Sequence, residues 1–126
     1  MSAFDDKKGR PLGEGILCPA GSIQDRELSG NLRRYKARVA GSYRALLPEE
    51  METELSAGKF WVSPKVDGEL WFLVLGDGPP WLASPQGKVI SGKIPLLEEA
   101  SASKAEGPTI VAGELFAAIK SGRPRV

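Results

Sequence analysis

Apolar residues along the second half of the chain form short runs that are separated by glycine and proline, a pattern that predicts β-strands. The continuous run Leu70–Leu75 predicts a buried strand, and the turn-forming residues 76–80 predict a hairpin into Trp81–Ser84. A short returning strand follows at Lys88–Ser91, and the β-branched run Thr109–Phe116 predicts one more. Together these segments predict a β-meander whose apolar residues cover a core.

The first half of the chain has a weaker pattern. Residues 23–28 suggest one or two helical turns that end at Ser29-Gly30-Asn31. Tyr35, Ala37 and Val39 then alternate with basic residues, and this period of two predicts a half-exposed strand. A second short strand is expected at residues 43–47, and another in the alternating run 59–63.

Three helices complete the prediction. Pro48 and the acids after it suit a first helical turn, which predicts a helix from Pro48 to Ala57 with Met51 and Leu55 on its inner face. A further helix is expected to start at Pro95, and a last one over residues 117–120. The predicted fold class is therefore α+β, an antiparallel β-sheet or meander with a few short helices, in which residues 1–15 form a flexible lead-in and 16–126 form one domain.

The amino-acid composition excludes several kinds of functional site but says little about the fold. The chain has 126 residues and a formal net charge of +1, so its total charge gives no general attraction to nucleic acid or membranes. The absence of histidine excludes imidazole catalysis, and the single cysteine, Cys18, excludes an intrachain disulfide or a cysteine-rich zinc site. With a charged N-terminus and no apolar run of membrane-spanning length, the expectation is a cytoplasmic protein without a membrane partner.

A cluster of basic residues in the first half has two interpretations. Arg33, Arg34, Lys36, Arg38 and Arg44 make residues 33–44 the most basic part of the chain. This segment either contacts nucleic-acid phosphates or is simply the solvated face of a strand, and the neutral overall charge favours the second interpretation.

The stretch Lys65-Val66-Asp67-Gly68 is the main candidate for chemistry. It lies between two apolar runs, so a sheet is expected to hold it in place. A primary amine is a good nucleophile once deprotonated, which makes Lys65 a candidate for covalent catalysis. The alternative is an exposed loop lysine beside an ordinary Asp-Gly turn.

Two segments carry a family resemblance. Lys65-x-Asp67-Gly68 resembles the first motif of the covalent nucleotidyltransferases, the superfamily of ATP-dependent DNA and RNA ligases and capping enzymes. About fifty residues later, Gly113-Glu114-Leu115 at the end of an apolar strand looks like the third motif of that superfamily. The resemblance implies part of an ATP-grasp-like ligase adenylation domain, with Lys65 as the nucleophile that forms lysyl-AMP.

The resemblance also implies the site and its ligands. The nucleotide would be bound by residues from both segments, namely Ser63, Lys65, Val66, Asp67, Gly68 and Glu114. Asp67 and Glu114 would approach Mg²⁺ through water, ATP and Mg²⁺ would be the cofactors, and nucleic-acid ends would be the partners. For Glu114, the alternative is a strand end where the carboxylate simply reaches solvent.

Departures from the family pattern affect the expected activity. The second motif, Ser/Thr-Arg-x-Gly, corresponds to Ser84-Pro85-Gln86-Gly87, which has no arginine, and Leu70 stands where many DNA ligases have another. These differences favour an RNA-ligase type over a DNA ligase. The resemblance covers residues 45–117, so a missing C-terminal half or companion chain is expected, with little activity from the 126 residues alone.

Two other functions stay open at this stage. One is a non-catalytic β-rich module that binds nucleotides or nucleic acid, and the other is a capping-type guanylyltransferase that uses GTP. Three tryptophans, Trp61, Trp71 and Trp81, would serve as core packing or as a stacking surface for bases.

Overall fold

A computed structural model describes residues 3–55, 58, 61–65, 67–103, 106–118 and 124–125. The strands in chain order are β1 (Arg10–Leu12), β2 (Glu14–Cys18), β3 (Glu69–Leu75), β4 (Trp81–Ala83), β5 (Val89–Lys93), β6 (Thr109–Leu115), β7 (Ala117–Ala118) and β8 (Pro124–Arg125). The helices are α1 (Arg26–Ala40), α2 (Met51–Glu54) and α3 (Pro95–Ser101), and a 3₁₀ turn at Pro48–Glu50 leads into α2.

Six strands form one antiparallel sheet in the order β1-β2-β5-β4-β3-β6. The consecutive strands β3, β4 and β5 are neighbours, so the predicted meander is confirmed. Two distant pairings extend it: β2 lies beside β5, and β6 lies beside β3 over its whole length. The α+β fold class is confirmed as a small domain with an antiparallel sheet and three short helices in the described residues.

The sheet is covered by a different helix on each face. Successive residues of a strand point to opposite faces, which sends Phe72 to one side and Trp71 to the other. Phe72 packs with Leu32 of α1 in one buried cluster, while Trp71 packs with Leu97 of α3 in a second. The edge-to-face contact between the rings of Phe72 and Tyr35, with centroids 5.1 Å apart, fixes α1 over the first cluster.

The predicted strand at residues 35–39 is wrong, because this segment belongs to the fifteen-residue helix α1. Asp25 caps the helix by accepting hydrogen bonds from the backbone N–H groups of Glu27 and Leu28. The residues that face the sheet follow helical spacing, which the shorter alternation concealed: Leu28, Leu32 and Tyr35. The Ser29-Gly30-Asn31 break that we expected lies inside this helix.

The lead-in also has more structure than predicted. Within residues 1–15, β1 and the start of β2 join the sheet, and Phe4 packs against Trp81 with ring centroids 5.1 Å apart. A hydrogen bond from the Asp5 N–H to the Ser22 carbonyl holds the same segment. The lead-in, predicted to be flexible, therefore contains sheet and packing contacts from residue 3 onward, because its few apolar residues find partners far along the chain.

Several predicted elements between α1 and β3 are shorter or absent. Residues 43–47 and 61–63 are not strands, and the helix predicted from Pro48 to Ala57 ends at Glu54. Met51, expected on its inner face, is 49% exposed. This helix has little apolar surface to bury, so tertiary packing does not stabilise it beyond the weak helix propensity of its residues.

Two remaining elements complete the comparison. α3 starts at Pro95 as predicted, but Ala117–Ala118 form β7, paired with β8, where a helix was expected. Residues 119 and 120 of that predicted helix lie outside the described residues, as do 56–57 and 59–60. In the described part of the chain, no helix combines the length and apolar character needed to cross a membrane.

Candidate functional site

The two motif segments meet at one end of the β3–β6 pair. Leu70 lies opposite Glu114, and Glu69 lies opposite Leu115, in the antiparallel register. A Cβ atom built on Gly68 would lie 2.6 Å from the carbonyl oxygen of Leu115 and 3.5 Å from Cβ of Glu114. The backbone that leads into β3 therefore packs directly against the end of β6 at a position where only glycine fits.

An open cavity of about 390 Å³ lies beside this junction, between α1 and the β3–β6 pair. Its walls include the apolar surfaces of Tyr35, Leu70 and Ala112, and its polar groups include Lys36 and Glu114. The volume falls within the range of about 300–1,000 Å³ that is usual for small-ligand sites. The predicted pocket carboxylate therefore does line a hollow, and Ala112 lines the same wall.

A second hollow, of about 600 Å³, adjoins the first. Lys36, Gly68 and Leu70 line both, so the two form one cleft that passes the start of β3. The second hollow adds Arg33 and Lys88 from outside the recognised motifs. The sequence singled out Arg33 and Lys36 only as part of a basic segment, because the strand predicted for residues 35–39 gave no reason to bring them toward Gly68. Lys88 was not singled out at all.

Lys65 lies outside both cavities. Ser63, Lys65 and Asp67 are exposed, and residues 61–65 have no regular secondary structure. Within the described residues, Lys65 takes part in no hydrogen bond or ion pair. Val66 lies outside the described residues.

Chain connectivity nevertheless keeps Lys65 near the cleft. It precedes Gly68 by three residues, so the two Cα atoms are at most about 11 Å apart. The structure thus brings Gly68 and Glu114 together, and it leaves Lys65 and Asp67 exposed on the segment that enters the junction.

The oxygen donors predicted to approach Mg²⁺ are the carboxylates of Asp67 and Glu114. Among the described residues, no three Asp, Glu, Cys or His side chains converge as a metal site. Mg²⁺ is commonly held by one or two carboxylates, with substrate phosphates and water completing its shell. Asp67 and Glu114, the two carboxylates predicted for this role, are exposed on segments that meet at Gly68.

The other candidate groups have structural roles. Cys18 is fully buried, and burial, followed by the nearby charges of Asp6 and Asp5, raises the pKa of its thiol, which disfavours the reactive thiolate. The carboxylate of Glu69 accepts a hydrogen bond from Nε1 of Trp71 at 3.2 Å. Trp71 and Trp81 are core residues, which confirms core packing for these two, whereas Trp61 is fully exposed.

No protein-family model matches this sequence, and no curated protein or solved structure is significantly similar to the chain. Functional inference therefore depends on the two motifs and on the geometry of the cleft between them.

The close contact at Gly68 gives a first testable prediction. In Gly68→Ala, the added methyl group would press on the Leu115 carbonyl, so we expect a loss of about 1–3 kcal/mol in the free energy of unfolding. Urea denaturation followed by tryptophan fluorescence measures this loss. The matched control is Gly113→Ala in the same strand pair, where a Cβ meets nothing within 4 Å. Equal denaturation midpoints for the two variants would show that the contact at Gly68 is not tight.

Proposed function

We propose that the protein is a nucleotidyltransferase of the ATP-dependent polynucleotide ligase type. The observation that carries the proposal is the β3–β6 pairing, which brings Gly68, at the end of the segment Lys65-x-Asp67-Gly68, against the strand of Glu114 although about fifty residues separate them in sequence. The two motifs resemble one superfamily in the correct order, and Gly68 from the first and Glu114 from the second line the same cavity of suitable size. A chance match of two unrelated segments gives no reason for such a meeting.

The proposed first reaction is nucleophilic attack by Nζ of Lys65 on the α-phosphorus of ATP. A nitrogen–phosphorus bond forms, the bond from the α-phosphorus to the bridging oxygen breaks, and pyrophosphate leaves with that electron pair. The amine gives up its protons to solvent, in which Lys65 is exposed. The product is lysyl-AMP, from which AMP would pass to a 5′-phosphate end before that end is joined to a 3′-hydroxyl.

The cavity beside Gly68 suits the nucleoside portion of ATP. Tyr35, Leu70 and Ala112 offer apolar surface to a base, and the carboxylate of Glu114 can accept hydrogen bonds from ribose hydroxyls. Mg²⁺ bound with the phosphates would neutralise negative charge on the departing pyrophosphate. Asp67 and Glu114 are the residues that would hold it, through water.

The remaining features of the proposal follow the family resemblance. RNA ends are a more suitable substrate than DNA ends, because Leu70 and the segment Ser84–Gly87 lack the arginines that DNA ligases typically have at the corresponding positions. Triphosphate-binding lysines and a base-stacking aromatic residue would come from a further C-terminal half or a companion chain. A cytoplasmic setting belongs to the same proposal.

A second candidate function is a non-catalytic module that binds nucleotides. The exposed position of Lys65, outside both cavities, favours it. In this alternative, the cleft binds a nucleotide without forming a covalent bond. A guanylyltransferase of the capping type would form the same kind of lysyl-nucleotide bond from GTP, but it would transfer GMP to an RNA 5′ end and would not join two ends.

Covalent labelling separates these functions. The chain, and the complete product of its natural reading frame, would be incubated with Mg²⁺ and ATP labelled at the α- or the γ-phosphate, and then denatured. We expect an acid-labile, alkali-stable label from α-labelled ATP and none from γ-labelled ATP, because pyrophosphate leaves. Label from GTP alone would identify the capping type. Reversible ATP binding without label, in both forms of the protein, would favour the binding module.

A further inference from the structure

The second hollow of the cleft lies where the sheet has a gap. β3 pairs with β6 from Glu69 to Leu75, but it pairs with β4 only from Phe72 to Val74. β4 ends at Ala83, and the turn that follows it leaves the first residues of β3 without a strand partner on that side. The hollow of about 600 Å³ lies between this part of β3, the turn and α1.

Positive charge dominates the lining of this hollow. Arg33 and Lys36 come from α1, Lys88 comes from the end of the turn, and Glu69 is the one acidic residue among the described lining residues. Three cations and one carboxylate leave a local charge of +2, although the whole chain carries only +1. Such concentration of one sign in a cleft strengthens attraction of an anion.

The cations are available to a ligand. Within the described residues, the only ion pair joins Arg44 to Glu54, elsewhere on the surface. The single carboxylate of the hollow, that of Glu69, is already a hydrogen-bond acceptor for the Trp71 indole. Arg33, Lys36 and Lys88 therefore lack an acidic partner in the described part of the chain.

The turn that carries Lys88 is held in a defined shape. The backbone N–H of Lys88 donates to Oγ of Ser84 at 3.0 Å, and the N–H of Gly87 donates to the Ser84 carbonyl at 3.0 Å. Gly21 and Ser22 donate hydrogen bonds to the carbonyls of Gln86 and Gly87. Because hydrogen bonds hold the backbone of this turn in place, the backbone at Lys88 would lose little conformational entropy when the side chain binds an anion.

The two hollows are arranged in the order of the parts of a nucleotide. The apolar hollow with Glu114 lies on one side of Gly68 and Leu70, and the cationic hollow lies on the other. Lys36 lines both. A nucleotide with its nucleoside in the first hollow would place its α-phosphate near Gly68 and its outer phosphates among the cations.

We infer that Arg33, Lys36 and Lys88 form a binding site for the β- and γ-phosphates of the nucleotide. This inference rests on the proposed function, and it supplies from α1 and the turn 84–88 a cationic contact that the recognised motifs do not contain. Arginine and lysine are the usual phosphate-binding side chains, since they combine positive charge with several hydrogen-bond donors. A 5′-phosphorylated nucleic-acid strand carries the same phosphate chemistry, so the test includes it.

The test compares two double variants that change the net charge equally. Arg33→Gln/Lys88→Gln removes two cations of the hollow, and Arg26→Gln/Lys93→Gln removes two exposed cations that do not line it. Calorimetric titrations on the full chain would use inorganic tripolyphosphate, ATP, adenosine, and an oligonucleotide with or without a 5′-phosphate. We expect the first pair to raise the Kd of tripolyphosphate and of ATP about tenfold and the control pair less than about twofold. Adenosine binding should be equal in all three proteins.

Different outcomes separate this inference from the proposed function. Three outcomes would each overturn the phosphate site. The first is equal weakening of tripolyphosphate binding by both variant pairs, and the second is no measurable binding by the unaltered chain. The third is that only binding of the 5′-phosphorylated strand depends on Arg33 and Lys88. If α-labelled ATP still labels the protein in those cases, the proposed function stands alone. If tripolyphosphate binding depends on Arg33 and Lys88 but no covalent label forms, the phosphate site stands and the transferase proposal fails.

Discussion

Lys65→Ala is expected to reduce covalent labelling by α-labelled ATP to background, because it removes the amine that would bond to the α-phosphorus. Lys65→Arg should have the same effect, since a guanidinium group stays protonated and is not a nucleophile. Both measurements use the form of the protein that gives label in the unaltered state. Peptide mapping of the labelled protein should place the adduct on the peptide that contains Lys65.

The control for this prediction is Lys93→Ala at the exposed end of β5, which should be labelled like the unaltered protein. Folding offers no competing explanation, because Lys65 is exposed and forms no hydrogen bond or ion pair within the described residues. Label that persists in Lys65→Arg, or that maps to another lysine, would remove Lys65 from its proposed role.

Phe72→Ala is expected to lower the free energy of unfolding by about 3–5 kcal/mol. Phe72 is 1% exposed, and its ring contacts Tyr35 on α1, so truncation both loses buried apolar surface and leaves a cavity between helix and sheet. Domains are typically stable by about 5–15 kcal/mol, so this one change could remove much of the total. Urea denaturation monitored by circular dichroism measures the loss.

A matched phenylalanine serves as the comparison. Phe116, just after β6, is 45% exposed, and Phe116→Ala should change the free energy of unfolding by no more than about 0.5 kcal/mol. If Phe72→Ala does not fold, Phe72→Leu provides a smaller truncation whose loss should still exceed that of Phe116→Ala. Equal losses for the two positions would show that the α1–sheet cluster is not the main core.

The second half of the chain was largely predictable from local sequence. The run Leu70–Leu75 is apolar and continuous, strong turn formers follow it, and β3, β4 and β5 result. Thr109–Phe116 was equally clear as a strand. What local sequence does not contain is the pairing of β3 with β6, since the register depends on contacts between segments far apart in the chain.

In the first half, the local pattern predicts the wrong element for a specific physical reason. Tyr35, Ala37 and Val39 alternate with charged residues, but over a longer window Leu28, Leu32 and Tyr35 repeat with helical spacing after the capping residue Asp25. The helix is more stable than a strand here because it packs these side chains against the sheet. This error also concealed the cationic hollow, which exists only when Arg33 and Lys36 lie on a helix beside β3.

The candidate site was predicted in part. The family resemblance implies that Gly68 and Glu114 lie in one site, and in the folded chain Gly68 packs against the strand of Glu114. The sequence predicts Lys65 on a rigid frame between two strands, and in the part of this segment that the structure describes only the later strand, β3, is present. Lys88 offered no signal in sequence, because its placement depends on hydrogen bonds from Gly21 and Ser22 to the turn before it.

The pairing of β2 with β5 sets a practical limit on how the protein can be shortened. Cys18 lies opposite Val89, so residues close to the start of the chain form part of the same sheet as residues about seventy positions later. A fragment that began near residue 45, where the recognisable motifs start, would lack both this neighbouring strand and the helix that covers Phe72. The strand edge exposed in this fragment would favour aggregation. The segment that carries the motifs is therefore shorter than the segment needed to complete the sheet.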